Sequence, residues 1–110
     1  MATDGQAALT AALDRLWTQY LPLMQERVEV LDAAAHDFAE GPLSVDRQHS
    51  AQAAAHKLAG VLGTFGLTRG TVLARELEIM YSRQNDPEAS LAERLSSITT
   101  EIRIIIESRK

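Results

Sequence analysis

The sequence predicts an all-α protein, an antiparallel up-down four-helix bundle with an additional N-terminal helix. Apolar residues recur at spacings of three and four, which is the period of helices, and nowhere require a strand. Three prolines and six glycines divide the 110 residues into segments of helical length. The short connections between these segments require antiparallel neighbours. A chain of this length is expected to form one domain, 1–110.

The first two helices are expected at about 4–20 and 22–40. Thr3 and Gln6 have capping-box spacing at the start of the first. Pro22 has no amide hydrogen to donate and therefore predicts a kink or a fresh start. The first helix would then pack across one end of the bundle or extend the second. The expected apolar stripes are Leu9, Leu13, Leu16 and Tyr20 on the first helix and Met24, Val28, Leu31, Ala35 and Phe38 on the second.

Three further helices are expected at about 44–65, 68–84 and 87–108. Gly41-Pro42 ends the second helix, Ser44 is a good N-cap for the third, and Gly66 supplies its C-terminal stop. Asp86-Pro87 provides an N-cap and a proline at the first position of the last helix. The expected inward residues are Ala51, Ala55, Leu58, Leu62, Phe65, Leu73, Leu77, Met80, Leu91, Leu95, Ile98, Ile102 and Ile105.

The composition excludes several classes of protein. The chain has no cysteine, which rules out disulfides, thiol catalysis and thiolate metal sites and favours a reducing compartment, the cytoplasm. An acidic N-terminus and the lack of a long uncharged stretch predict a soluble protein that is complete from its first residue. Eleven basic against fifteen acidic residues give a formal charge of −4, which argues against nucleic acid or a membrane as partner.

One segment departs from this acidic balance. Between residues 47 and 75 there is no acidic residue, whereas Arg47, Lys57, Arg69 and Arg75 give the segment a charge of +4. A chance run of sequence and a surface that meets an anionic group explain this equally well.

His56 is the most informative residue of this segment. An outward stripe of the third helix comprises His49, Gln52, Ala53, His56, Gly60 and Gly63. Each helical glycine costs about 1 kcal/mol relative to alanine, so two on one face require a reason. Close packing against a neighbouring helix is one reason. Access of a macromolecular partner to His56 is the other, and the histidine in the same stripe favours it.

An exposed imidazole is largely neutral near neutral pH, so its free nitrogen can act as a nucleophile without a separate base. Phosphorus is a fitting target, since phosphoryl transfer needs mainly alignment and charge stabilisation. His49 lies about 10.5 Å from His56 along the axis, too far to share a metal ion, and His36 is expected at the surface. Trp17 and Tyr20 are better explained as core or helix-docking residues than as a nucleotide-stacking pair.

The motif extends from His56-Lys57-Leu58-Ala59-Gly60 through Gly63, Phe65 and Gly66 to Leu73 and Leu77-Glu78. Over residues 52–78 it resembles the histidine phosphotransfer (HPt) domain of bacterial two-component phosphorelays. The resemblance implies that Nε2 of His56 accepts a phosphoryl group from an aspartyl phosphate of a receiver domain and passes it to another receiver. It also implies that the receiver supplies Mg²⁺ and most catalytic groups, so that this chain is a carrier and no enzyme, without a cofactor or metal of its own.

The expected supporting residues are Lys57, Gly60, Gly63, Arg75 and Glu78, of which Gly60 and Gly63 would give clearance beside His56. HPt domains commonly have a lysine where this chain has Ala59. Lys57 or Arg75 could replace that charge, although Lys57 projects about 100° around the axis from His56 and is equally well an ordinary solvated lysine.

Glu78 follows His56 by 22 residues. The same separation places a glutamate against the imidazole in the phosphotransfer domain of chemotaxis kinases, which residues 63–66 also resemble. Such a carboxylate would fix the tautomer through Nδ1. A solvated residue beside Leu77 is the alternative.

Two other functions stay open. The chain could be the phosphoacceptor domain of a chemotaxis-type histidine kinase, or a helical docking module that is never phosphorylated. No phosphate-binding glycine loop is present, so the phosphoryl group must come from a partner, a receiver domain or a histidine kinase. A monomer is expected.

Overall fold

The computed structural model describes residues 4–83 and 89–109, and within them all regular structure is helical. The four helices are α1 (Asp4–Glu40), α2 (Val45–Thr64), α3 (Thr68–Ser82) and α4 (Ala89–Ser108). α1 packs against α2 and α4, and α3 packs against the same two helices, which closes the bundle. The predicted all-α four-helix fold is confirmed. Thr3 of the capping box and the Asp86-Pro87 cap lie outside the described residues.

The N-terminal half differs most from the prediction. Instead of two helices at 4–20 and 22–40, α1 is one helix of 37 residues, with Pro22 inside it. Pro22 removes one amide donor, but it lies on the exposed side of the helix while Met24 on the other side is buried. The N-terminal segment therefore extends the bundle helix. At 1.5 Å per residue α1 is about 55 Å long, which accounts for the 53 Å length of the molecule.

The stripe expected on this N-terminal segment is wrong in part. Leu9, Leu16 and Tyr20 are 60, 40 and 40% exposed, and the buried residue is Trp17. Because α1 is continuous, the buried face of its second half decides which face of the first half meets the bundle. Trp17 lies on that face, about two helical turns before Met24, and is confirmed as a core residue.

The core predicted for the remaining helices is largely confirmed. Its buried members include Met24, Val28, Leu31, Ala35, Phe38, Ala51, Ala55, Leu58, Leu62, Leu73, Leu77, Leu95, Ile98 and Ile102. Phe65, Met80, Leu91 and Ile105 are partly buried against them. At the end of α4 the buried residue is Ile106.

The turns on either side of α2 follow the predicted chemistry. The Ser44 hydroxyl accepts a hydrogen bond from the Arg47 amide at 3.1 Å and caps the helix start. Gly66 has a φ of 72°, which is unstrained for glycine, and its amide donates to the Gly63 carbonyl at 3.1 Å. The chain therefore leaves α2 in a tight turn and enters α3 beside it.

Arg109, just after α4, joins that helix to the N-terminal half of α1 and to the end of α2. Its guanidinium carbon lies 4.6 Å from the ring centre of Trp17 and 5.2 Å from that of Phe65, and the guanidinium donates to Asp14 at 3.4 Å. Trp17 and Phe65 meet edge to face at 5.1 Å. This cluster fixes α1 at the point where it extends past the other helices.

Gly70, which the sequence pattern did not single out, allows α3 to approach its neighbours. It is buried, and a Cβ atom placed on it would lie 3.0 Å from Leu62 Cδ1 and 3.5 Å from Ile105 Cγ2. Leu62 is itself fully buried and has little room to move.

We expect Gly70→Ala to lower the melting temperature, because overpacking of about 1 kcal/mol or more outweighs the helix propensity of alanine. Gly60→Ala is the matched control, since a Cβ atom there would meet nothing within 4 Å. It should raise the melting temperature. Thermal unfolding followed by circular dichroism measures both. An equal rise in the two variants would show that Gly70 has no packing role.

Candidate functional site around His56

His56 lies on the outer face of α2, where its side chain is 69% exposed. Ala55 and Leu58 beside it are fully buried, so packing of the apolar face turns the imidazole outward. The outward stripe expected from the sequence is present, with His49, Ala53, Gly60 and Gly63 exposed and Gln52 half-buried.

Glu78 on α3 contacts the imidazole. Nδ1 of His56 is 2.8 Å from Oε2 of Glu78, whose side chain is 25% exposed. An ionised carboxylate only accepts hydrogen bonds, so this contact requires the proton on Nδ1. The neutral ring then has its lone pair on Nε2. Burial of the adjacent Leu77 holds α3 in the register that brings the carboxylate to the ring.

The direction of Nε2 follows from this contact. The two ring nitrogens point to different sides, and Nδ1 is directed at α3. The α2 positions that meet α3 include Ala59, whose carbonyl accepts a hydrogen bond from the Thr71 hydroxyl at 3.2 Å. On the other side of His56, Lys57 and Gly60 line a groove toward α1. Nε2, on the other side of the ring from Nδ1, is therefore directed away from Glu78.

The two glycines of the stripe have different surroundings. A Cβ atom on Gly60 would meet nothing within 4 Å, so helix packing does not require glycine there and the space beside His56 is open. A Cβ atom on Gly63 would lie 3.4 Å from the Thr71 hydroxyl oxygen, in ordinary contact. Helix packing therefore does not account for Gly60, whereas Gly63 lies at the interface of α2 with α3.

Ala59, at the position where HPt domains commonly have a lysine, is only 2% exposed. Its side chain lies in the interface between α2 and α3, and its carbonyl is bound by Thr71. A cation at this position would have to leave a packed interface before it reached the surface.

The basic segment does not form a uniform positive surface. Arg47 pairs with Asp37 at 3.2 Å, and Arg69 pairs with Glu101 at 3.0 Å. Lys57 and Arg75 are exposed. Neither has an ion pair within the described part of the chain, and no contact joins Arg75 to His56. Only part of the +4 charge read from the sequence is therefore available to a ligand.

The groove beside His56 contains a cation that the sequence pattern did not reveal. It has a volume of about 390 Å³ and is lined by Tyr20 and Arg27 from α1 and by Lys57, Gly60, Val61, Thr64 and Phe65 from α2. Arg27 follows Tyr20 by seven residues and so lies on the same face of α1. That spacing was the available signal, but it became informative only once α1 was known to be continuous.

The other histidines do not join the site. His49 is exposed, and His36 is exposed with its Nε2 4.0 Å from Glu40. The described residues contain no group of three or more side chains suited to hold a metal ion. Burial raises the pKa of the Tyr81 phenol, but this residue lies on the core face of α3. No helix within 4–83 and 89–109 has the length and apolar character needed to cross a membrane.

Comparison with known proteins agrees with this geometry. Residues 15–107 match the model of the Hpt domain family. Protein RcaC from Microchaete diplosiphon is 38% identical over 76 residues, which is 69% of this chain and 12% of that relative. No solved structure matches the chain. The matched family region includes His56, Glu78 and nearly all of the bundle. The chain therefore belongs to the Hpt domain family, whose members carry a phosphoryl group on histidine in phosphorelays.

Proposed function

We propose that Nε2 of His56 accepts a phosphoryl group from the aspartyl phosphate of a receiver domain and passes it to another receiver. The contact of 2.8 Å between Nδ1 of the exposed His56 and Glu78 supports this assignment. In the neutral ring this contact places the proton on Nδ1 and the lone pair on Nε2, the nitrogen on the side of the ring away from Glu78. An exposed nucleophile suits a group that must meet two macromolecular partners in turn.

The transfer step balances without water or nucleotide. The lone pair of Nε2 attacks phosphorus, and the N–P bond forms as the P–O bond to the receiver's aspartate breaks. The aspartate leaves as a carboxylate, and the Nδ1 proton stays on the ring, which becomes positively charged. The Glu78 carboxylate stabilises that charge. The reverse reaction delivers the phosphoryl group to the second receiver.

In this proposal the receiver contributes Mg²⁺ and most of the charge stabilisation, and this chain contributes the nucleophile. The bundle closes its core within one chain, so a monomer suffices. We place the protein in the cytoplasm, where its partners would lie, and its lack of cysteine agrees with a reducing compartment.

Direct phosphorylation by a histidine kinase is the second candidate. The contact between His56 and Glu78 across 22 residues favours it, because the same separation occurs in the phosphotransfer domain of chemotaxis kinases. Kinase cores and phosphorylated receivers tested side by side as donors separate the two functions.

We expect His56→Gln to abolish an acid-labile, alkali-stable phosphoryl label while leaving the melting temperature nearly unchanged, since the side chain is 69% exposed. Incubation with a labelled phospho-receiver, followed by acid and alkali treatment, measures this. His49→Gln is the matched control and should be labelled normally. A label that persists in His56→Gln would exclude His56 as the acceptor.

Glu78→Gln should slow phosphoryl transfer about 10-fold, because the glutamine carbonyl can accept the hydrogen bond from Nδ1–H but cannot stabilise the charge on the ring. Glu78→Ala removes both effects and should be slower still. Glu107→Gln, an exposed carboxylate on α4, is the control. Single-turnover transfer gives the rates, and nitrogen NMR of the imidazole gives the tautomer. Unchanged rates in both Glu78 variants would remove the positioning role.

Gly60→Leu should slow transfer from a phospho-receiver at least 10-fold, because the side chain would fill the open space beside Nε2. Its melting temperature should fall little. Gly41→Leu is the control for a leucine at a glycine with open surroundings, because a Cβ atom on Gly41, between α1 and α2, would also meet nothing within 4 Å. Normal transfer together with a large loss of stability would instead assign Gly60 to helix packing.

A further inference from the structure

The groove between α1 and α2 lies on the side of α2 away from α3, and so on the side of His56 away from Glu78. Arg27 reaches it from α1, and Lys57 and Gly60 line it from α2. Gly60 leaves the passage from the imidazole into the groove open. A phosphoryl group on Nε2 would therefore lie at the mouth of this groove and away from Glu78.

The charges around the groove are of one sign. None of its lining residues is acidic. Many of the other arginines are neutralised by carboxylates, in the pairs Arg47 with Asp37, Arg69 with Glu101, Arg94 with Glu76, Arg103 with Asp32 and Arg109 with Asp14. Arg27 and Lys57 form no ion pair within residues 4–83 and 89–109. Their charge is thus available to an anion from outside the chain.

Part of the groove's wall is apolar. Tyr20 and Phe65 meet at 6.4 Å between ring centres, and Val61 is partly buried beside them. A cation at the edge of an apolar wall is less screened than one on an open surface, so its attraction for a phosphoryl group is stronger. Arg27 is itself half-buried, which limits the conformations of its guanidinium.

We propose that Arg27 and Lys57 form a phosphoryl-binding subsite that holds the phosphorylated state of His56 from the α1 side. The inference rests on the proposed function and explains how the chain can do without a lysine at Ala59. The guanidinium of Arg27 offers two parallel N–H donors to two phosphoryl oxygens, and Lys57 adds a point charge. Lys57 projects about 100° from His56 around α2, which brings it to the groove.

The test uses phosphoramidate, a small donor that phosphorylates an imidazole with release of ammonia and needs no receiver. The wild-type protein is compared with R27Q, K57Q, the double variant and R27K. Arg15→Gln is the matched control, because Arg15 is another arginine of α1 but is exposed and does not line the groove. Phosphorus NMR follows the second ionisation of the phosphoryl group on His56 with pH.

Nearby cations favour the dianion, so their removal should raise the pKa of the phosphoryl group. We expect an upward shift of about half a unit in R27Q and about one unit in the double variant. R27K should restore most of the wild-type value, and Arg15→Gln should not change it. Transfer from a phospho-receiver should fall about 10-fold in the double variant. A general loss of packing would not produce this pattern of shifts.

If the double variant has the same phosphoryl-group pKa and the same rate of phosphoryl transfer as the wild-type protein, the proposed subsite is wrong. If phosphoramidate labels His56 and the shifts occur, but no receiver exchanges phosphoryl groups with the protein, the subsite stands and the relay function fails. If phosphoramidate leaves His56 of the wild-type protein unlabelled, both are wrong. Circular dichroism of each variant shows that the comparison is made between folded proteins.

Discussion

The close approach of α3 to α2 is the constraint on which the site depends. Gly70 and Ala59 have too little side chain to separate the two helices, and the Thr71 hydroxyl bonds the α2 backbone directly at 3.2 Å. Only because the helices lie this close does Glu78 come within 2.8 Å of His56. A larger residue in the interface would lengthen that contact without touching either residue of the pair. The chemistry of an exposed imidazole is thus controlled by packing in the interior.

The same packing makes the surroundings of the imidazole asymmetric. α3 occupies one side of His56 and fixes its tautomer, whereas the absence of a side chain on Gly60 leaves the other side open. A phosphoryl carrier needs both, since one nitrogen must keep its proton while the other is approached by a partner. Surface ion pairs such as that of Arg69 with Glu101 contribute little to stability, about 0 to 1 kcal/mol each. Their larger effect is to neutralise cations away from the groove.

The parts of the fold that could be predicted are those set by local periodicity and turn chemistry. The buried face of α2 and its caps at Ser44 and Gly66 follow from helical spacing and turn chemistry. The approach of Glu78 to His56 is indicated only by the resemblance to the phosphotransfer domain of chemotaxis kinases. The continuity of α1 could not be predicted, because Pro22 has the same local effect in a kinked, a broken or a continuous helix. Packing of the residues on either side of it decides the outcome. Leu9 is exposed although it belongs to the predicted apolar stripe. Periodicity predicts the stripe, but it does not predict whether a neighbouring helix is long enough to cover it.

Local periodicity also fails to predict the surroundings of Ala59. On a helical wheel this position lies about 60° from His56, close enough to count as the same face, yet it is buried between two helices. Motif spacing therefore suggests that a charge has been lost, whereas the bundle has an alternative source of charge on α1. Arg27 is 29 positions before His56 in the chain and shares no local pattern with it. Where a family motif lacks a charged residue, the side of the reactive atom that remains open determines which other residues can replace it. In this chain the open side of His56 is bounded by α1, so we expect the cation that replaces a lysine at Ala59 to come from α1.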